Sequence, residues 1–193
     1  MEILYFHQYF STRDGSNGTR SYEFAKSLTE NGHSVTIVCL NSSRSSTGLK
    51  EDFVNGIRKG VIDKFNIIEF NLEYSNYQGF YKRSFIFLAF CLKSTMLALR
   101  SNADLLISSS TPLTISIPGI FFRWIKGKTF IFEVRDLWPE SVRAVNLISS
   151  SWILDIFEKL EQLAKLNIHS IEQPIKKMLP KMLSKEEEME LFA

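Results

Sequence analysis

The chain has 193 residues, 45% of them hydrophobic and 23% charged, with a formal net charge of +2 at pH 7. That composition supplies enough apolar side chains for one cored domain with a tail and excludes a wholly disordered chain. So small a net charge gives no electrostatic ground for nucleic-acid binding. Cys39 and Cys91, both inside apolar runs, read as buried free thiols in a reducing compartment, not as a disulfide framework.

Residues 3–6 are a short apolar run suited to a buried strand. Neither a basic n-region nor an h-region accompanies it, and no run reaches the ~20 apolar residues that span a bilayer. The expectation is a cytoplasmic protein. The loop that follows holds Gly15 and Gly18. Tyr22, Phe24, Ala25 and Leu28 then recur at helical spacing, and Gly32 ends the helix. Residues 33–40 are rich in β-branched side chains and predict a second strand, followed by a Ser/Thr-rich loop over 41–48. Residues 65–70 (FNIIEF) predict a third strand and 77–100 a long helix, apolar nearly all round. A fourth strand over 104–107 leads into Ser108-Ser-Ser-Thr-Pro112. A helix over about 113–125, a fifth strand over 128–134 and an amphipathic helix over 152–166 complete the pattern.

Strands alternating with helices imply βαβ units, and continuously apolar strands imply a sheet covered on both faces. The expected fold is α/β, a Rossmann-like doubly wound parallel sheet. Residues 165–193, with their KEEEME charge run and no strand pattern, read as a helical or frayed appendage.

In such a sheet ligands bind beyond the carboxyl ends of the strands. Three polar segments fall there: His7 to Arg20, Ser108 to Thr111, and Glu133-Val-Arg-Asp-Leu-Trp-Pro139. Asn17, Gly18, Thr19 and Arg20 precede a helix whose positive end suits a phosphate, with the guanidinium adding a charge-assisted contact. The same residues also fit a plain glycine turn capped by Thr19 or Asn17. The spacing is not G-x-G-x-x-G, Asn41 stands where a ribose-binding acid would, and there is no P-loop, so a nicotinamide or P-loop reading fails. Ser109, Ser110 and Thr111 either cap the next helix or line the crevice. Glu133, Arg135 and Asp136 either pair to hold their loop or meet a sugar or phosphate. His7 ends the first strand as a capping, core or catalytic histidine. No His/Cys/Asp cluster has metal-ligand spacing, and no nucleophile elbow is present. Phe85 and Phe87 beside Lys82 and Arg83 either cover the sheet or dock on an anionic membrane face.

MEILYFHQYF…GTRSYEFAKSLTENGHSVTIV, SSSTPLTISIPG and FIFEVRDLWPES resemble the N-terminal half of retaining, family-4 glycosyltransferases of the GT-B fold. The WbuB-like group that builds bacterial surface polysaccharides is the closest likeness. It covers about residues 1–164 and implies sugar transfer from a nucleotide-sugar to a lipid-linked saccharide on the cytoplasmic membrane face, without metal or other cofactor. By position, Asn17 to Arg20 would meet the donor diphosphate and sugar. His7, Arg135 and Asp136 would line the reaction centre, with Ser109, Ser110, Thr111 and Glu133 along the crevice. The second, donor-binding domain and its E-x7-E motif have no counterpart after residue 164. An interrupted reading frame, or a separate chain carrying that domain, is the expectation. A non-catalytic remnant or binding module is the alternative, and donor binding separates the two.

Overall fold

Side chains alternate along β1 (Glu2–Phe6), β2 (Ser34–Ser42) and β5 (Leu105–Ser109), and this alternation divides the apolar residues between two faces of one sheet. The computed structural model describes residues 1–15, 19–42, 45–75, 77–110, 112–134, 155–156 and 158–163. The remaining elements are α1 (Arg20–Glu30), β3 (Ile57–Ile62), β4 (Phe65–Tyr74), α2 (Phe80–Arg100), α3 (Ser116–Lys126) and β6 (Thr129–Glu133). A 3-10 turn, Leu113–Ile115, leads into α3.

Ile3, Tyr5, Val35, Ile37, Cys39, Leu105 and Ile107 pack under Tyr22, Ala25 and Leu28 of α1. Leu4, Phe6, Val38, Leu40, Leu106 and Phe130 pack under Ile86, Phe90 and Ala98 of α2 and Ile120 and Phe122 of α3. Leu160 and Leu163, from a helical stretch at 158–163, join this second core. Helices on both faces and a strand order of β3-β4-β2-β1-β5-β6 make the sheet doubly wound, with its switch point between β1 and β5. Burial pushes the Cys39 thiol well above its ordinary value and the Cys91 thiol up to about 11. Both are free thiols inside the core.

The five parallel strands match the sequence reading, but β3 is an added antiparallel edge strand. Its sequence, IRKGVI, hides it, since Lys59 and Gly60 interrupt the apolar pattern. A two-residue turn joins it to β4, with Asp63 and Lys64 at φ of 44° and 73°. Positive φ at both positions suits the right-handed twist of a tight hairpin, and Asp63-Lys64 lacks the glycine that usually signals it. β2 and β4 also run further than the apolar runs suggest. Ser42 pairs with Tyr74 past an irregularity in the register, so Asn41 lies in a strand and not in the loop.

Candidate functional site

The carboxyl ends of β1, β5 and β6 and the start of α1 meet at the switch point. His7 follows β1 directly and is buried. Its backbone N–H donates to the Val38 carbonyl, 3.1 Å, and its Nδ1 shares a 2.6 Å hydrogen bond with Ser21 Oγ. The histidine ring is therefore clamped between the strand end and the first turn of α1.

Arg20, the first residue of α1, forms an ion pair with Glu133, the last residue of β6. Tyr5 Oη donates to the second Glu133 oxygen, 3.3 Å away. Ser109 lies beside Glu133 in register, and the Ser110 N–H donates to the Glu133 carbonyl at 2.8 Å. Arg20 from α1 and Tyr5 from β1 thus meet on one carboxylate, while β5 holds the Glu133 main chain. Arg20 is more than half exposed, so its guanidinium is tethered but reachable. Thr19 stands at the N-cap of α1 without a side-chain capping bond, so it does not itself satisfy the first-turn N–H groups.

Beside this network lie polar atoms without partners. Ser108 Oγ, at the end of β5, is buried with none. Gln8 is 1% exposed, and neither atom of its carboxamide has a partner at hydrogen-bond distance. It does lie close enough to Tyr9 to lower that phenol's pKa. Burial chiefly, and Tyr74 after it, push Tyr9 above its usual range. Tyr9 and Tyr74 have ring centroids 5.0 Å apart, and Tyr74 stacks on Phe87 at 5.6 Å. Each orphaned buried group costs about 1–3 kcal/mol unless something else supplies its hydrogen bond. Their clustering flanks the switch point, since Ser108 pairs with Phe6, two residues before Gln8.

The glycine loop is anchored by close approach. The Gly15 N–H donates to the Thr12 carbonyl at 3.2 Å, and a Cβ at Gly15 would overlap the Ser11 hydroxyl. Asn17, Gly18, Thr111, Arg135 and Asp136, expected at the site, lie outside the described residues, as do seven of the fifteen residues of the helix expected over 152–166, the other eight being helical. The structure adds Tyr5, Gln8 and Ser21 to the site. Ser21, the residue after Arg20 at the helix start, carried a weak signal, and Tyr5 and Gln8 were hidden in or beside an apolar strand.

Of the four residues with a membrane reading, Lys82 and Phe85 are exposed. Arg83 and Phe87 turn toward the sheet, because residues two apart on a helix point about 200° apart. The Arg83 Nε is buried, and Phe87 packs against the core. His33 lies between α1 and β2, and burial lowers its pKa. Among the described residues no cluster of His, Cys, Asp or Glu could hold a metal, and no helix is long and apolar enough to cross a membrane. At the opposite, amino-terminal edge of the sheet a cavity of about 250 Å³ is lined by Glu2, Leu4, Ser34, Thr36, Asn66 and Ser101 among others.

No family model matches the chain, and no curated protein matches it in sequence. Solved structures do match in fold. The C-terminal domain of a hydrogenase from Pyrococcus furiosus is 15% identical with a TM-score of 0.50, over 68% of this chain and 90% of that one. Sucrose-phosphate synthase from Thermosynechococcus elongatus is 9% identical with a TM-score of 0.50, over 84% of this chain. The chain spans only 39% of that synthase. At such identities the likeness establishes architecture: an α/β, Rossmann-like, doubly wound sheet of the kind found in GT-B glycosyltransferase domains. A hydrogenase domain and a sucrose-phosphate synthase share this one architecture, so function has to be argued from the crevice.

Proposed function

We propose that this domain is the acceptor-side half of a retaining glycosyltransferase, moving a sugar from a nucleotide-sugar to a lipid-linked saccharide of a surface polysaccharide. The reading joins the likeness of the GTRSYEFAK and EVRDLWPE segments to one observation. Arg20, at the positive end of α1 and paired with Glu133, stands at the carboxyl ends of the strands, the same end of the sheet at which the Ser108 hydroxyl and the Gln8 carboxamide lack hydrogen-bond partners. A cation, a helix N-terminus and unfilled hydrogen-bond capacity suit a phosphorylated, hydroxyl-rich ligand.

In this reading Arg20 and Thr19, with Asn17 and Gly18, hold the donor diphosphate and stabilise the charge that develops as it leaves. No metal is needed where a guanidinium and backbone N–H groups take that part. His7, Arg135 and Asp136 line the acceptor side. The Ser21 hydrogen bond fixes the His7 ring and so orients whichever nitrogen meets the acceptor. Ser109, Ser110, Thr111 and Glu133 line the crevice between. The remainder of the donor pocket belongs to a second domain, as the GT-B resemblance implies.

Glu133 competes with the ligand for Arg20. Donor binding exchanges one anionic partner of the guanidinium for another, and Glu133→Gln, which removes the competing charge, should tighten it. Calorimetry with UDP- and GDP-sugars, on the chain alone and with any candidate chain carrying a donor-binding domain, tests this. Saturable binding should weaken about 10- to 100-fold in Arg20→Ala, the loss of one charge-assisted hydrogen bond. Absent binding in both settings, or binding indifferent to Arg20, favours a module that keeps the fold without the activity.

A further inference from the structure

The outer face of α2 is apolar without being covered. Phe85 is 68% exposed, Leu88 57%, Leu92 59% and Met96 53%. Their spacing of three and four residues places all four on one stripe, directed away from Ile86 and Phe90 in the core. On α3, which packs beside α2, Trp124 and Ile125 are also exposed. So many large apolar side chains in water is unusual for a soluble surface.

The charges are equally one-sided. Neither α2 nor α3 contains an aspartate or glutamate, while together they carry Lys82, Arg83, Lys93, Arg100, Arg123 and Lys126. Several of these are engaged. Lys93 lies over the Phe70 ring, Lys126 donates to the Ser101 carbonyl, and Arg83 turns inward. Lys82 and Arg100 are exposed at the two ends of α2. They lie five helical turns apart and so at nearly the same angle, along one flank of the apolar stripe. A second protein would need a matching apolar face with acids on one flank. An anionic bilayer offers both features without further specification.

We propose that α2 and α3 form a docking surface for an anionic lipid bilayer. Phe85, Leu88, Leu92, Met96 and Trp124 enter the acyl boundary, while Lys82 and Arg100 meet the headgroups. α2 lies flat in the interface, consistent with no described helix being long and apolar enough to span. The surface stands on its own geometry and does not depend on the sugar-transfer reading.

Co-sedimentation with vesicles tests it, comparing phosphatidylcholine alone with phosphatidylcholine mixed with phosphatidylglycerol. The protein should pellet with the mixed vesicles, less so with neutral ones, and less as salt rises. Lys82→Gln and Arg100→Gln should each weaken partition about fivefold. Phe85→Ser with Leu92→Ser should abolish it, while circular dichroism melting stays near that of the parent because both side chains are exposed. Failure to pellet with anionic vesicles overturns the proposal, as does pelleting that the charge and apolar variants leave unchanged. A dimer in sedimentation equilibrium without lipid, dissolved by the Phe85/Leu92 variant, also overturns it in favour of a second copy on this face.

Discussion

Glu69 is a carboxylate in the sheet at 2% exposure, and its partners explain how it is tolerated. Arg58, opposite it in register, donates to Oε2 from Nε at 3.0 Å and from Nη2 at 2.8 Å, and Thr47 Oγ1 adds a third bond at 2.9 Å. The Arg58 guanidinium also lies 4.4 Å over the Phe53 ring. Such a pair contributes little net stability but is costly to break. Arg58→Ala should lower the free energy of unfolding by about 3–5 kcal/mol, because Glu69 is left buried and unpaired. Arg58→Met with Glu69→Leu should recover most of that loss. Urea unfolding of the two variants checks this, and a single variant as stable as the double would contradict it. Glu69 was visible in the sequence as an acid inside an apolar run. Its partner was not, because Arg58 belongs to the strand whose pattern gave no signal. At the crevice, likewise, Arg20 and Glu133 were each legible as site candidates at strand and helix ends. Their mutual pairing spans most of the described chain and no local pattern encodes it.

Secondary structure was read most accurately where one periodicity dominates. The continuously apolar ILYF and VTIVCL and the long α2 stand where their patterns put them, because burial on both sides of the sheet overrides propensity. Ends moved by a few residues, and the edge hairpin escaped because its turn is made by Asp63-Lys64. One glycine shows how packing sets sequence at this scale. Gly119 lies in α3 directly over Phe130 of β6, where a Cβ would overlap the ring. Helix propensity alone favours alanine there by about 1 kcal/mol. Overpacking costs about 1–3 kcal/mol, and with a rigid ring on a strand as neighbour it should win. Gly119→Ala should therefore lower the melting temperature, and adding Phe130→Leu should restore part of it. A Gly119→Ala protein that melts higher than its parent would show that helix and strand are less closely packed.

The molecule as a whole is organised by one reversal in strand order. β1 leads out to β2 and β4 with α1 on one face, and β5 and β6 return on the other side with α2 and α3 on the opposite face. That reversal opens the crevice at the carboxyl ends of the strands, with His7, Arg20 and Glu133 on its α1 side and the Ser108 side chain on its α2 side. The rule that ligands bind beyond the carboxyl ends of such strands made the location legible in sequence. The orphaned Ser108 and Gln8 atoms were not legible, since lacking a partner is a property of three-dimensional packing. On the proposed function this crevice, and not the cavity at the amino-terminal edge, receives the nucleotide-sugar. Amide chemical-shift mapping during titration with UDP- and GDP-sugars tests it most directly. Saturating shifts should concentrate at His7, Gln8, Thr19 to Ser21, Ser108 to Ser110 and Glu133. Shifts centred instead on Glu2, Ser34, Thr36 and Asn66, or no shifts with any sugar nucleotide, would contradict it.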